Sequence, residues 1–205
     1  ITLPTTPIKH IDDPDGEIAL CILSAINLGL IKEKDELKDL CDLSVRALEE
    51  IIDYQEYPVE AAKKSTLARR SLGIGYIGLA HYLAKNKVKY DDKKAWKLVD
   101  EITEAFQYYL LKASNTLAKE RGACEYFNKT KYSDGILPID SYKKDVDDIV
   151  KRKLSYDWAS LRNDIKSSGL RHSTLSAQMP SESSSVVSNA TNGVEPPRDF
   201  LSIKK

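Results

Sequence analysis

The stretch LSAQMPSESSSVVSNATNG, from Leu175 to Gly193, decides how the rest of the chain is read. Leu175, Ala177 and Met179 alternate with Ser176 and Gln178, the period-two pattern of a strand. Pro180 ends that run, and the serines that follow lead into Val186, Val187 and the turn formers of NATNG. Composition alone reads the serines as a flexible linker, because such tracts bury too little apolar surface to offset the entropy of ordering them. The flanks point elsewhere. A strand, a proline and a cluster of hydroxyl residues opening a short helix form an anion site from free amides and hydroxyls, without lysine or arginine. Glu182 within such a site would repel phosphate, so it is expected to face another part of a ligand, such as the hydroxyls of a sugar.

A local anion site suits the chain as a whole. Lysine plus arginine equals aspartate plus glutamate at 31 each, leaving no net field to draw in nucleic acid or an anionic membrane. With 205 residues, 41% hydrophobic and 30% charged, the chain is long enough for one sizeable core and carries no mark of disorder. No apolar run reaches the length of a membrane span, and ITLPTTP at the N-terminus resembles no signal peptide, so the expected location is the cytoplasm. Cys21, Cys41 and Cys124 lack C-x-x-C spacing and the three histidines are scattered, which argues against a zinc site or a disulfide scaffold.

From Gly16, GEIALCILSAINLGLI is almost continuously apolar and follows the turn-like DDPDG, so its first part predicts a strand buried on both faces. Ala19, Cys21 and Leu23 share one side, placing Cys21 among small neighbours, while Ile18, Leu20 and Ile22 share the other. Leu37, Leu40, Cys41, Leu48, Ile51 and Ile52 recur at helical spacing between Asp35 and Tyr54, with Cys41 on the buried stripe and therefore a packing residue. A longer helix is predicted from about Asp92 to Arg121, capped by Gly122, with Trp96, Val99, Ile102, Phe106, Tyr109, Leu110, Ala113 and Leu117 inward. The Tyr108–Tyr109 pair then reads as packing, not as an electron relay. A third helix fits Asp157 to Ser168, with Asp157 as N-cap and Gly169 after its end.

GIGYIG, Gly73 to Gly78, matches the dinucleotide fingerprint G-x-G-x-x-G, but that site needs a buried strand before it. The preceding KKSTLARRS is polar and basic, so the glycines are assigned to close backbone packing, although Asp91 and Asp92 lie near the distance expected for the ribose-binding acid.

GEIALCILSAINLG, RRSLGIGYIGLAHYLAK, QYYLLKASN, GILPIDSYKKD and LSAQMPSESSSVVSNATNGVEPPR together resemble the large, catalytic subunit of class I ribonucleotide reductase of the bacterial and bacteriophage type. The likeness runs from Ile1 to about Lys204, and its most specific piece is Pro180 to Ser184 with the NATNG that follows. It implies an α/β fold with long amphipathic helices, part of a ten-stranded α/β barrel threaded by a finger loop. Residues 1–205 would be a single segment of that barrel domain, without the N-terminal half-barrel, the finger-loop tip or the C-terminal tail. By resemblance Cys21 is one half of the redox-active cysteine pair, and Pro180, Ser181, Glu182, Ser183 and Ser184 form the substrate loop holding a ribonucleoside diphosphate. GIGYIG matches a structural turn, Tyr108 and Tyr109 match a helix and not the radical-transfer tyrosines, and Cys41 and Cys124 carry no role over.

The implied reaction replaces the 2′ hydroxyl of the ribose by hydrogen through a thiyl radical, for DNA precursor synthesis. The segment itself would bind no metal or other cofactor: the radical comes from a metal-containing small subunit, and ATP or deoxynucleotide effectors bind elsewhere in the full subunit. The implied partners are the substrate, the remainder of the large subunit, the small subunit, and thioredoxin or glutaredoxin, with no nucleic acid and no membrane. In the family the motif Asn-x-Cys-x-Glu immediately precedes I-x-L-P, with which this chain begins, so the segment alone is expected to be inactive. A start at Ile1 without methionine favours a piece cut from a longer subunit over a naturally split one. Two other readings stay open here, a segment of a cobalamin-dependent reductase and a non-catalytic phosphate-binding module.

Overall fold

The computed structural model describes residues 5–199; the I-x-L-P start and residues 200–205 lie outside them. Strand β1 (Ile22–Asn27) pairs in parallel with β2 (Leu72–Ile77), Ile22 opposite Leu72 and Asn27 opposite Ile77. Residues 174–177 extend along the other side of β2. Leu72 and Ile74 donate their N–H groups to the carbonyls of Thr174 and Leu175 at 3.0 and 2.8 Å, and Ala177 N–H returns a bond to Ile74 O at 3.0 Å. The expected strand before Met179 is therefore present as an extended segment with one parallel bridge, Ile74 to Ser176.

Parallel neighbours need long crossovers, and helices supply them. Between β1 and β2 run α1 (Glu36–Tyr54) and α2 (Glu60–Arg69). Between β2 and the third extended segment run α3 (Leu79–Lys85), α4 (Lys93–Arg121), α5 (Pro138–Ser141), α6 (Asp145–Val150) and α7 (Trp158–Ser168), and α8 (Glu182–Val187) comes last. Helices α1 and α4 lie against each other and over one face of the strands. Leu37, Cys41, Val45, Leu48 and Ile52 from α1 meet Ile102, Phe106, Leu110 and Leu117 from α4, with Leu72 and Ile74 of β2 beneath them. Burying an aliphatic side chain of this size contributes about 1.5–3 kcal/mol, so this seam is the main support of the strand layer.

The helix boundaries follow the chemistry expected of them. Asp157 accepts a bond from Ser160 N–H at 2.9 Å and caps α7. Gly122 ends α4 at φ +87°, a conformation that costs any residue with a Cβ about 1–2 kcal/mol.

Four expectations need correction. The first part of the apolar run is not a strand: β1 starts at Ile22, because Glu17 N–H donates to Thr6 O and Ile18 N–H to Ala61 O, tying that backbone to the N-terminal segment and α2. Nor is β1 covered on both faces, since Leu23 is 51% exposed. On α4, Tyr108 is buried more deeply than Tyr109, stacked on Tyr156 at 4.7 Å between centroids and edge-on to Trp158, while Trp96 lies towards solvent with its indole N–H on Tyr90 O. GIGYIG is not a turn along its length: Gly73 to Ile77 belong to β2, buried throughout, and Gly78 alone turns the chain, at φ +75°, into α3.

Candidate active-site face and serine loop

Because side chains alternate along a strand, the layer has a helix-covered face and an opposite face. Ile26, Leu72 and Ile74 enter the helix-covered core. The opposite face carries Cys21 and Leu23, then Gly73 and Gly75, then Ala177 and Met179. A methyl group on Gly73 would stand 2.7 Å from Leu23 Cδ2, 2.9 Å from Cys21 Sγ and 3.3 Å from Ala177 Cβ. One on Gly75 would stand 2.3 Å from Ala177 O and 2.9 Å from Met179 Cε. The glycines therefore serve close packing, as their sequence context suggested. Cys21 sits among small neighbours, and its thiol is held against bare backbone.

Cys21 is half-buried, one residue ahead of β1, with Sγ 3.9 Å from Ile22 O. Burial pushes its pKa above the ordinary thiol value, so at neutral pH it carries its proton. A protonated thiol on a fixed backbone can donate hydrogen or hydrogen-bond to a reactant, and forms a disulfide only with a partner sulfur. Cys41 and Cys124 are buried and pushed by burial up to about 12 and about 11, which makes both inert as nucleophiles. All three cysteines are free thiols.

The serine stretch is not a linker. Gly78 N–H, at the end of β2, donates to Thr191 O at 2.9 Å, and Asn27 Nδ2, at the end of β1, donates to Ser188 O at 3.3 Å. Ser188 and the NATNG that follows it are thereby stitched to the carboxyl ends of β1 and β2 respectively. Ser181 is buried at the N-cap position of α8 and donates its hydroxyl to Asn192 Oδ1 at 2.7 Å. The hydroxyls of Ser184 and Ser185 donate to the carbonyls of Ser181 and Glu182. Pro180, Glu182 and Ser183 are exposed. The hydroxyls of Ser181 and Ser184 thus brace the loop itself, while Glu182 and Ser183 face outward. Beside the loop lies a depression of about 500 Å³ bounded by Glu182, Ser185, Thr191, Asn192 and Arg198.

The structure brings Cys21 beside Gly73 and Ala177, and the chain reaches Pro180 three residues after Ala177. No hydrogen bond among the described residues joins Cys21 to Pro180–Ser184. No group of histidine, cysteine, aspartate or glutamate side chains among the described residues is arranged to hold a metal, and none of their helices is long and apolar enough to cross a membrane.

Two buried carboxylates that sequence reasoning passed over fix this layer. Glu49 of α1, with no exposed surface, accepts from Arg70 Nε at 2.8 Å, Arg171 Nε at 2.6 Å and His172 Nε2 at 3.0 Å. Burial pushes its pKa up, but the bonds from His172, Arg70 and Arg171 outweigh this and hold it at about 2. Burial lowers the His172 pKa, so its ring is neutral: Nε2–H donates to Glu49, and Nδ1 accepts from Ser114 Oγ at 2.9 Å. Arg171 and His172 immediately precede the third extended segment, so Glu49 anchors its start. Glu104 of α4 is also buried; its Oε1 accepts from Trp158 Nε1 at 3.0 Å and Ser155 N–H at 2.7 Å, and its Oε2 pairs with Arg152 at 2.7 Å. The partners of each lie 21 to 123 positions away in sequence, so no local pattern marks it.

The fold and this face define a section of an α/β domain in which parallel strands hold a loop at their carboxyl ends, with a thiol just ahead of β1 on the face opposite the core. The sequence model described as "Ribonucleotide reductase, barrel domain" matches residues 2–205, and the chain belongs to that family. It is 64% identical over 204 residues to the ribonucleoside-diphosphate reductase subunit alpha of Haemophilus influenzae, covering all of this chain and 27% of that protein. The subunit alpha of Enterobacteria phage T4 is 48% identical over 97% of the chain, which spans 26% of it. In Escherichia coli, ribonucleoside-diphosphate reductase 1 subunit alpha is 61% identical over 153 residues, 75% of the chain and 20% of that protein. The chain therefore spans about a quarter of the length of the curated relatives it matches.

Proposed function

We propose that this chain is a section of the catalytic barrel of a ribonucleoside-diphosphate reductase large subunit, working in the cytoplasm on nucleoside diphosphates. The observation that carries the reading is the protonated Cys21 thiol on the face opposite the core, against Gly73 and Ala177, one extended segment away from the loop at Pro180–Ser184. In the reaction the resemblance implies, a thiyl radical elsewhere in the subunit takes the 3′ hydrogen of the ribose. The 2′ hydroxyl leaves as water, and two thiols supply two electrons and two protons while their sulfurs join as a disulfide. The 3′ hydrogen then returns to the sugar. Cys21 is one of those two thiols, and thioredoxin or glutaredoxin restores the pair.

Pro180, Ser181, Glu182, Ser183 and Ser184 are proposed to hold the diphosphate and sugar. In this arrangement Ser181 and Ser184 brace the turn, Ser183 and the first-turn amides meet phosphate oxygens, and Glu182 faces sugar hydroxyls. The outer edge of β1 and the exposed side chain of Leu23 suit pairing with the remainder of the ten-stranded barrel, and the radical comes from a small metal-containing subunit. Effector nucleotides bind outside this segment.

The test is Cys21→Ser in the full-length subunit. Multiple-turnover reduction is lost while diphosphate affinity stays within about twofold, because a serine hydroxyl keeps the size and polarity of the thiol but cannot form a disulfide. Normal turnover with lost binding would refute the assignment.

A further inference from the structure

Asn27, the last residue of β1, engages two backbone groups at once, and together they fix which way its amide points. Its Oδ1 accepts from Gly29 N–H at 3.0 Å, a group that can only donate, and its Nδ2 donates to Ser188 O at 3.3 Å, a group that can only accept. The first bond caps the short 3-10 turn at Leu28–Leu30. Aspartate or serine would cap that turn equally well, so the cap does not account for an amide at this position. The second bond reaches 161 positions along the chain, to the residue that ends α8. Room for the side chain comes from Gly78, just after β2, where a Cβ would stand 2.5 Å from Asn27 Oδ1.

Helix α8 is six residues long, with Ser181 at one end and Ser188 at the other. Bonds from Ser185 N–H to Ser181 O at 2.8 Å and from Ser188 N–H to Ser184 O at 3.0 Å join the two ends, so a displacement of Ser188 carries the serine loop with it. A helix this short has too few bonds of its own to stay formed and in place without outside contacts. The Asn27 bond and the bond from Gly78 N–H to Thr191 O tie it to the strands, and Ser181 meets the side chain of Asn192 next to that second tie. Cys21 immediately precedes β1 and Asn27 ends it, so a single strand carries the thiol at one end and the loop at the other.

We infer that Asn27 is a positioning residue for the serine loop: its bond to Ser188 O fastens α8 to the strand that follows Cys21, and so sets the place of the diphosphate relative to the thiol. The inference rests on the reading of Pro180–Ser184 as the diphosphate loop. A loop released from β1 is correctly placed for only part of the time, and apparent affinity falls by that fraction, whereas the bound complex, with the loop returned to its place, reacts as before. The loss therefore falls on KM and not on kcat.

The test uses Asn27→Asp and Asn27→Ser in the full-length subunit, assembled with its small subunit for kinetics. Both variants keep an oxygen for Gly29 N–H, but the first has no donor and the second is one atom too short to reach Ser188. In each, KM for the nucleoside diphosphate is expected to rise about tenfold, the scale of one lost hydrogen bond, with kcat within about twofold. Native-state hydrogen exchange of the amides of Ser185 and Ser188 should quicken by about the same factor, while those of Gly29 and Ile31 keep their rates because the cap survives. Unchanged exchange at Ser185 and Ser188, equal loosening at Gly29 and Ile31, or a fall in kcat with KM unmoved would each overturn the inference. Ser183→Ala, which leaves the Asn27 bond intact, separates it from the reading beneath it. A raised KM in Ser183→Ala with none in the Asn27 variants defeats the inference alone; a KM unmoved in all three, with the loop amides loosened, defeats the diphosphate reading and the inference together.

Discussion

Replacing Glu49 by glutamine keeps the shape of the side chain but removes the charge that Arg70, Arg171 and His172 share. In the folded chain the carboxylate titrates at about 2 against an ordinary 4.5, and at roughly 1.4 kcal/mol for each tenfold the ionised form contributes about 3 kcal/mol. That agrees with the 3–5 kcal/mol usual when a buried pair loses one partner. A depressed carboxylate contributes its full share above its unfolded pKa, and the share is lost as pH falls from about 4.5 towards about 2. Since Arg171 and His172 lead into the third extended segment, the loss should be local. Native-state hydrogen exchange of the full-length subunit reads it directly, through the amides of Ser173 and Ala177, which bond to Arg69 O and Ile74 O. At pH 7, Glu49→Gln should speed their exchange on the order of a hundredfold, and the gap should narrow progressively below pH 4.5. A change under about fivefold at neutral pH, or a gap that does not narrow in acid, would refute the idea that this carboxylate holds the segment.

Gly75→Ala should lower the melting temperature far more than Gly122→Ala, because the first new methyl meets a backbone carbonyl at 2.3 Å whereas the second meets nothing within 4 Å and suffers only its positive φ. Differential scanning calorimetry of the two variants separates them. Asp157→Ala removes the N-cap of α7 and should cost about 1 kcal/mol in the same measurement, with Asp157→Ser recovering most of it. Under native conditions at pH 8, mass spectrometry after a short iodoacetamide pulse should find Cys21 alkylated before Cys41 or Cys124; equal labelling would contradict their burial. Ser183→Ala should raise the Michaelis constant for diphosphate severalfold with turnover little changed, measured by steady-state kinetics of the assembled enzyme.

The long helices were legible because their signals are local. Helix α4 has an apolar stripe over eight turns and a glycine at its end, and α7 is bracketed by Asp157 and Gly169. What misled lay in groups whose partners are distant. The run from Gly16 to Cys21 looks like a strand, yet Glu17 is drawn into a buried pair with Arg69 at 3.1 Å and its backbone follows. GIGYIG looked poor as a strand because the residues before it are polar, but those residues form α2, whose alanines, Ser65 and Thr66 are buried by size and not by hydrophobicity. Tyr108 and Tyr109 differ by one position on a helix, and which of them goes inward depends on Tyr156 and Trp158, far along the chain. At the candidate site, that Cys21 and Leu23 share a side was readable from alternation along one segment. That its neighbours are Gly73 and Ala177 was not, because register between strands is a three-dimensional fact. The ties from Ser188 to the end of β1 and from Thr191 to the end of β2 were equally invisible.

Among the described residues β1 has a partner on one side only, and Leu23 together with Val186 and Val187 stands largely uncovered. Anyone preparing this piece by itself inherits a practical difficulty from that geometry. An unguarded strand flank next to exposed aliphatic side chains is adhesive, and it invites copies to zip together edge to edge during expression or concentration. A lysine in place of Leu23, projecting from the uncovered face, is the simplest guard for such a preparation, and it would have to be reversed before the piece was asked to join the rest of a larger subunit.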